Sequence, residues 1–97
     1  VARRLIVTPR AQRQIARHRA WWLRNRDKAP AAFDEEIERG FALLLDRPQA
    51  GQAVRTRRRG KTRRILLDRI RYYMYYEVKD TIVILALWHA SRRPPRL

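Results

Sequence analysis

The sequence predicts an α+β fold of order β-α-α-β-β-β, with an N-terminal strand and a helical hairpin packed on one face of a small, mainly antiparallel sheet. Three observations predict it. Between residues 9 and 47 apolar side chains recur with the period of a helix, in two stretches separated by a proline-bearing break. After Gly60 they fall instead in short extended runs divided by turn residues. The last of these, Ile82 to Trp88, is apolar at every position, which predicts a central strand covered on both faces.

Leu5-Ile6-Val7 reads as the first strand. Thr8-Pro9 then marks a helix start, a hydroxyl cap followed by proline at the first helical position. Ala11, Ile15 and Trp22 share one helical face while Arg10, Arg13, Arg17, Arg24 and Arg26 occupy others, so this helix runs from about Pro9 to Arg26. Asp27-Lys28-Ala29-Pro30 breaks it, and Pro30 stands where a second helix can begin. Asp34, Glu35 and Glu36 complement the positive end of that helix, Phe33, Ile37, Phe41, Leu44 and Leu45 form its apolar stripe, and Arg47-Pro48 ends it. Residues 52–58 offer a basic edge strand, Gly60 a turn, Arg64 to Asp68 a short strand and Tyr72 to Val78 another, joined to the last strand by Lys79-Asp80. A polar tail, 91–97, follows.

A chain of 97 residues makes a single domain. Its 24 Lys and Arg against 9 Asp and Glu leave a net charge of +15, which implies a polyanionic or acidic partner. The excess is uneven: residues 51–97 carry thirteen bases and three acids. Absence of cysteine excludes disulfides, thiolate metal sites and thiol catalysis. No apolar run approaches the ~20 residues of a membrane span and the first residues lack a secretory signal, so a soluble cytoplasmic protein is expected.

Four features could carry chemistry. Arg55, Arg57, Arg58, Arg59, Lys61, Arg63 and Arg64 place seven bases within ten residues, an anion-binding surface or a solvated face. Tyr72, Tyr73, Tyr75 and Tyr76 alternate around Met74; in a strand Tyr72, Met74 and Tyr76 share one face and Tyr73, Tyr75 and Glu77 the other. These tyrosines could stack on unpaired bases or simply fill a sheet. His89 closes the last strand beside Arg92 and Arg93, as a proton-transfer group or as a strand end only. His18, the other histidine, lies in the first helix, so no metal site or cofactor is expected. Trp22 continues the apolar face of that helix, and Trp21, about 100° away, is partly exposed.

Thr62-Arg63-Arg64-Ile65-Leu66-Leu67, Tyr72-Tyr73-Met74-Tyr75-Tyr76-Glu77-Val78, and Ile82 to Leu87 with Trp88-His89-Ala90-Ser91-Arg92-Arg93-Pro94-Pro95 closely resemble ParE-type toxins of the RelE/ParE superfamily. The resemblance extends through Phe33, Glu36 and Arg47-Pro48 to Gly51, nearly the whole chain. It implies the toxin of a type II toxin–antitoxin system, of the kind associated with plasmid stabilisation. A cognate, acidic antitoxin would lay an extended or helical segment over it, forming a hetero-oligomer. Trp21, Trp22, Phe41, Tyr73 and Tyr75 are the expected antitoxin contacts.

The superfamily resembled has two branches. RelE-like members cleave messenger RNA on the ribosome; ParE-like members poison DNA gyrase, leaving broken DNA, without a catalytic site of their own. The nuclease branch implies Arg64 stabilising the phosphate, His89 moving a proton and Lys61 standing in for a missing carboxylate base, since none lies between Arg47 and Leu67. That constellation is incomplete. The gyrase branch is therefore expected, with Arg92, Arg93, Arg57, Arg58, Arg59, Lys61, Arg63 and Arg64 meeting the target. A basic nucleic-acid-binding domain without toxicity is the third reading.

Overall fold

The computed structural model describes residues 3–26, 29–58 and 60–97. Its elements are β1 (Arg4–Val7), α1 (Pro9–Asn25), α2 (Ala32–Asp46), β2 (Gln52–Val54), β3 (Thr62–Leu67), β4 (Tyr72–Val78) and β5 (Thr81–His89). They form one five-stranded sheet in the order β1-β5-β4-β3-β2, with β1 parallel to β5 and every other pair antiparallel. The α+β architecture, with the helical hairpin on one face, is as expected, and four strands rather than three follow the hairpin.

The α1 start follows from two residues. The Thr8 hydroxyl accepts from the Ala11 amide at 3.2 Å, and Pro9 occupies the first turn, where its missing N–H leaves nothing unsatisfied. Thr8 also donates its own amide to Ile84 O at 3.1 Å, so the β1–β5 ladder runs directly into the helix cap. Beyond that point β5 has no neighbouring strand on this side. The buried Gln14 closes the edge, its Oε1 accepting from the Leu87 amide at 2.9 Å. The interhelical break is tied by the Trp22 indole N–H, which donates to Ala29 O at 2.8 Å; Asp27 and Lys28 lie outside the described residues.

The second helix begins at Ala32, two residues after Pro30, without a side-chain cap. Asp34 and Glu35 complement its dipole in the first turn, and Asp34 also accepts from Arg19 of α1 at 2.8 Å. Glu36 does something else. Buried at 1% exposure, it accepts two bonds from Arg39, at 2.7 and 3.0 Å, and one from the Arg69 amide at 3.0 Å, which ties α2 to the β3–β4 turn. Phe33, Ile37 and Leu44 line the core, but Leu45 is exposed. Eleven residues return a helix to within about 20° of its start, so Leu44 repeats Phe33 and Leu45 falls outside the stripe. Gly40 lets α2 approach the sheet: a Cβ there would stand 2.8 Å from Leu67 Cδ2.

Side chains from both helices meet Ile65, Leu67, Tyr72, Met74, Tyr76, Ile82, Ile84 and Leu87 in the main core. The opposite face carries Tyr73, Tyr75, Val83, Leu85, Ala86 and Trp88. The tyrosine alternation thus runs as expected. A bulge opposite Tyr75 and Tyr76 places consecutive Leu85 and Ala86 on this second face. Residues 91–97 fold back over it: Leu97 packs there, and its carbonyl accepts from the Arg57 amide at 3.2 Å. The central strand is accordingly covered on both sides. The basic edge strand is shorter than its sequence allows, only Gln52–Val54 against Arg64–Thr62. Arg55, Arg57, Arg58 and Lys61 lie in the connection between β2 and β3, where solvent screens their mutual repulsion.

Candidate functional site

Strand register decides which candidate residues can act together. Arg64 stands opposite Tyr75, so it projects from the face away from the helices. There its guanidinium lies 3.9 Å from the Tyr73 ring centroid, donates to the Tyr75 hydroxyl at 3.1 Å and to Gln52 Oε1 at 3.3 Å. His89 stands opposite Tyr72, and Tyr72 belongs to the helix-side core. The two rings pack edge to face at 5.1 Å. Arg64 and His89 are therefore on opposite faces of the sheet.

The basic block is divided by its partners. Arg58 forms a two-pronged ion pair with the buried Glu77, at 2.7 and 3.3 Å, and Thr62 donates to the same carboxylate at 3.2 Å. Burial alone would raise the Glu77 pKa, but the bonds and charge of Arg58, with Thr62 and Lys79, prevail and hold it below the usual carboxylate range. Arg63 donates to Gly51 O at 2.7 Å. Arg55, Arg57 and Lys61 are exposed, and no ion pair engages their side chains among the described residues. Arg59 lies outside the described residues.

Past β5 the chain turns sharply. Arg92 donates its amide to His89 O at 3.1 Å, its guanidinium sits 5.0 Å from the Trp88 ring, and the Trp88 indole N–H donates to Arg93 O. Both arginine side chains remain exposed.

This turn brings together residues that the sequence pattern did not connect. Arg17, His18, Trp21 and Arg24 of α1 meet Tyr72, His89 and Arg92 around a cleft of about 430 Å³. The Tyr72 hydroxyl and His18 Nδ1 are 3.1 Å apart, with the rings tilted at 4.7 Å. Burial, then the charges of Arg17 and Arg92 and the neighbouring His89, lowers the His18 pKa to about 4, so the ring is neutral at physiological pH. Burial also raises the Tyr72 pKa and keeps its hydroxyl protonated. His89 Nδ1 accepts from the Ser91 amide at 3.1 Å. A backbone amide only donates, so a neutral His89 carries its proton on Nε2. One signal was available in the sequence: His18 lies seven residues after Ala11, on the same helical face as Ala11, Ile15 and Trp22.

The remaining candidates are dispersed. Trp22 is buried at 8% exposure, whereas Trp21 is 41% exposed with Arg26 5.3 Å from its ring centre. Phe41 lines a separate groove of about 300 Å³ between the helices, with Ile15, Arg19, Ile37 and Glu38. Tyr75 is buried and Tyr73 half-buried on the far face. Among the described residues no group of three His, Asp or Glu is arranged to hold a metal ion, and no helix is long and apolar enough to cross a membrane.

The family model for the ParE toxin of type II toxin–antitoxin systems, parDE, matches residues 5–94, from β1 to the turn after β5. The chain belongs to the ParE toxin family. The fold agrees: a solved structure described as the chromosomal ParDE TA system from P. aeruginosa superposes with a TM-score of 0.74. It is 19% identical, and the match covers 93% of this ParE-family chain and 98% of that one. No curated protein matches in sequence. Family membership makes this a toxin, the member of a pair in which an antitoxin is the counterpart.

Proposed function

We propose that this ParE-family toxin arrests growth by inhibiting DNA gyrase, and that a cognate acidic antitoxin neutralises it by covering its surface. The observation that carries the choice is the separation of Arg64 and His89 across the sheet. Cleavage of RNA through its 2′-hydroxyl needs a proton-transfer group and phosphate stabilisation converging on one phosphate. Two residues on opposite faces do not converge, and Arg64 is already engaged by Tyr73, Tyr75 and Gln52. A toxin that binds and traps a target has no such requirement.

Arg92 and Arg93, exposed on the turn after β5, are the proposed contacts with gyrase, and the exposed Arg55, Arg57 and Lys61 are proposed to add to the attraction. The antitoxin is proposed to cover the interhelical groove around Phe41 and the exposed Trp21, its acidic residues complementing the surrounding arginines. Induced expression in cells tests the assignment. The double variant Arg92→Ala/Arg93→Ala is expected to lose growth arrest, while Arg64→Ala and His89→Gln retain it. Loss of arrest in His89→Gln or Arg64→Ala, with folding and antitoxin binding intact, would instead support RNA cleavage.

A further inference from the structure

The cleft between α1 and the ends of β4 and β5 gathers charged and aromatic residues of which only Arg92 is a proposed gyrase contact. Arg17, Arg24 and Arg92 line it, and none of the three has a carboxylate partner among the described residues. Three like charges around one concavity repel each other and invite an anion. The two imidazoles sharpen the point. Nδ1 of each ring is engaged within the protein, by Tyr72 at His18 and by Ser91 at His89, which leaves Nε2 of each for a ligand. Neutral His89, whose Nδ1 accepts from the Ser91 amide, therefore offers an Nε2–H donor beside the His18 ring.

Three guanidinium groups and the His89 imidazole N–H offer more donors than one carboxylate can accept, whereas a phosphate monoester presents three terminal oxygens that share its negative charge. The wall beside them is aromatic: Trp21 is exposed at the rim, and its indole ring is a surface on which a base can stack. The cleft volume of about 430 Å³ falls within the roughly 300–1,000 Å³ of small-molecule sites. We propose that this cleft binds a nucleoside monophosphate group, its phosphate held by Arg17, Arg24, Arg92 and His89 and its base stacked on Trp21. The group is either a free mononucleotide or the 5′-phosphorylated end of a strand. The cleft shares Arg92 with the proposed gyrase contact and Trp21 with the proposed antitoxin surface.

Calorimetric titration of the full chain with adenosine 5′-monophosphate, adenosine and inorganic phosphate, at one fixed salt concentration, tests this. Saturable one-to-one binding of the monophosphate is expected, with adenosine and phosphate each on the order of tenfold weaker or more. The double variant Arg17→Gln/Arg24→Gln should weaken the monophosphate on the order of tenfold or more. Arg55→Gln/Arg57→Gln, which removes the same charge elsewhere, should change it less than about twofold. Trp21→Ala should weaken the monophosphate but leave inorganic phosphate unaffected. Melting curves confirm that the variants fold; all these side chains are exposed. Equal losses in the two arginine variants would reduce the effect to diffuse charge and overturn the site, as would adenosine binding as well as its monophosphate. Competition by a 5′-phosphorylated oligonucleotide, and not by its 5′-hydroxyl counterpart, identifies a strand end. Failure of both to compete identifies the free mononucleotide.

Discussion

Replacing Tyr76 by phenylalanine deletes a single oxygen from the buried interior. That oxygen donates to Pro48 O at 2.8 Å and accepts from the Gly51 amide at 2.8 Å. It thereby fixes the loop between α2 and β2, and a Cβ on Gly51 would stand only 2.5 Å from it. Tyr76 is fully buried and Gly51 is buried, so the Gly51 amide loses its partner where water does not readily replace it. Each lost bond costs about 1 kcal/mol net, and the stranded amide of Gly51 adds roughly another 1. The expected loss is thus about 2–3 kcal/mol, or roughly 10–20 °C in melting temperature for a domain of this size. Urea denaturation measures it, with a lower midpoint and an unchanged slope. Hydrogen exchange at the Gly51 amide should quicken in parallel. A loss below about 0.5 kcal/mol with Gly51 still protected would refute the claim that this hydroxyl holds the loop.

Two further outcomes follow from the buried polar groups. Glu36→Gln should cost about 2 kcal/mol in urea denaturation, because it removes the charge that Arg39 grips and weakens the bond from the Arg69 amide; an unchanged midpoint would mean the α2 tether is dispensable. The depressed His18 pKa makes stability pH-dependent. The unfolded ring takes up a proton as pH falls below its ordinary 6.5, whereas the folded ring resists until about 4. Stability should therefore decline across that window, by at most about 2 kcal/mol after allowing for the ring's partial exposure. The Glu36 and Glu77 contributions are present above the ordinary carboxylate pKa and are lost as pH falls through their depressed values. His18→Gln should flatten the melting temperature between pH 7 and 5; an unaltered profile would exclude His18 as its source.

The elements were legible where a local pattern forces them. Thr8-Pro9 starts α1, the Phe33–Ile37–Leu44 stripe orients α2, and the apolar run of β5 requires cover on both faces. What escaped depends on partners distant in sequence. Glu36 resembles a solvent-exposed dipole residue until the β3–β4 turn is brought against it. The length of β2 is set by its pairing with β3 rather than by its own residues, and residues 91–97 look like a free tail until Leu97 reaches Arg57. The site follows the same rule. Arg64 and His89 both look available as strand residues, and only register shows that they face apart. His18 looked incidental because its companions Tyr72 and His89 lie more than fifty residues away in the chain.

The most direct test of the proposed function adds the purified, antitoxin-free chain to a DNA gyrase supercoiling reaction, using preparations shown to be folded and to arrest growth in cells. Supercoiling is expected to be lost, and linear, cleaved DNA to accumulate. Gyrase that keeps supercoiling DNA in the presence of active toxin would contradict the proposed function.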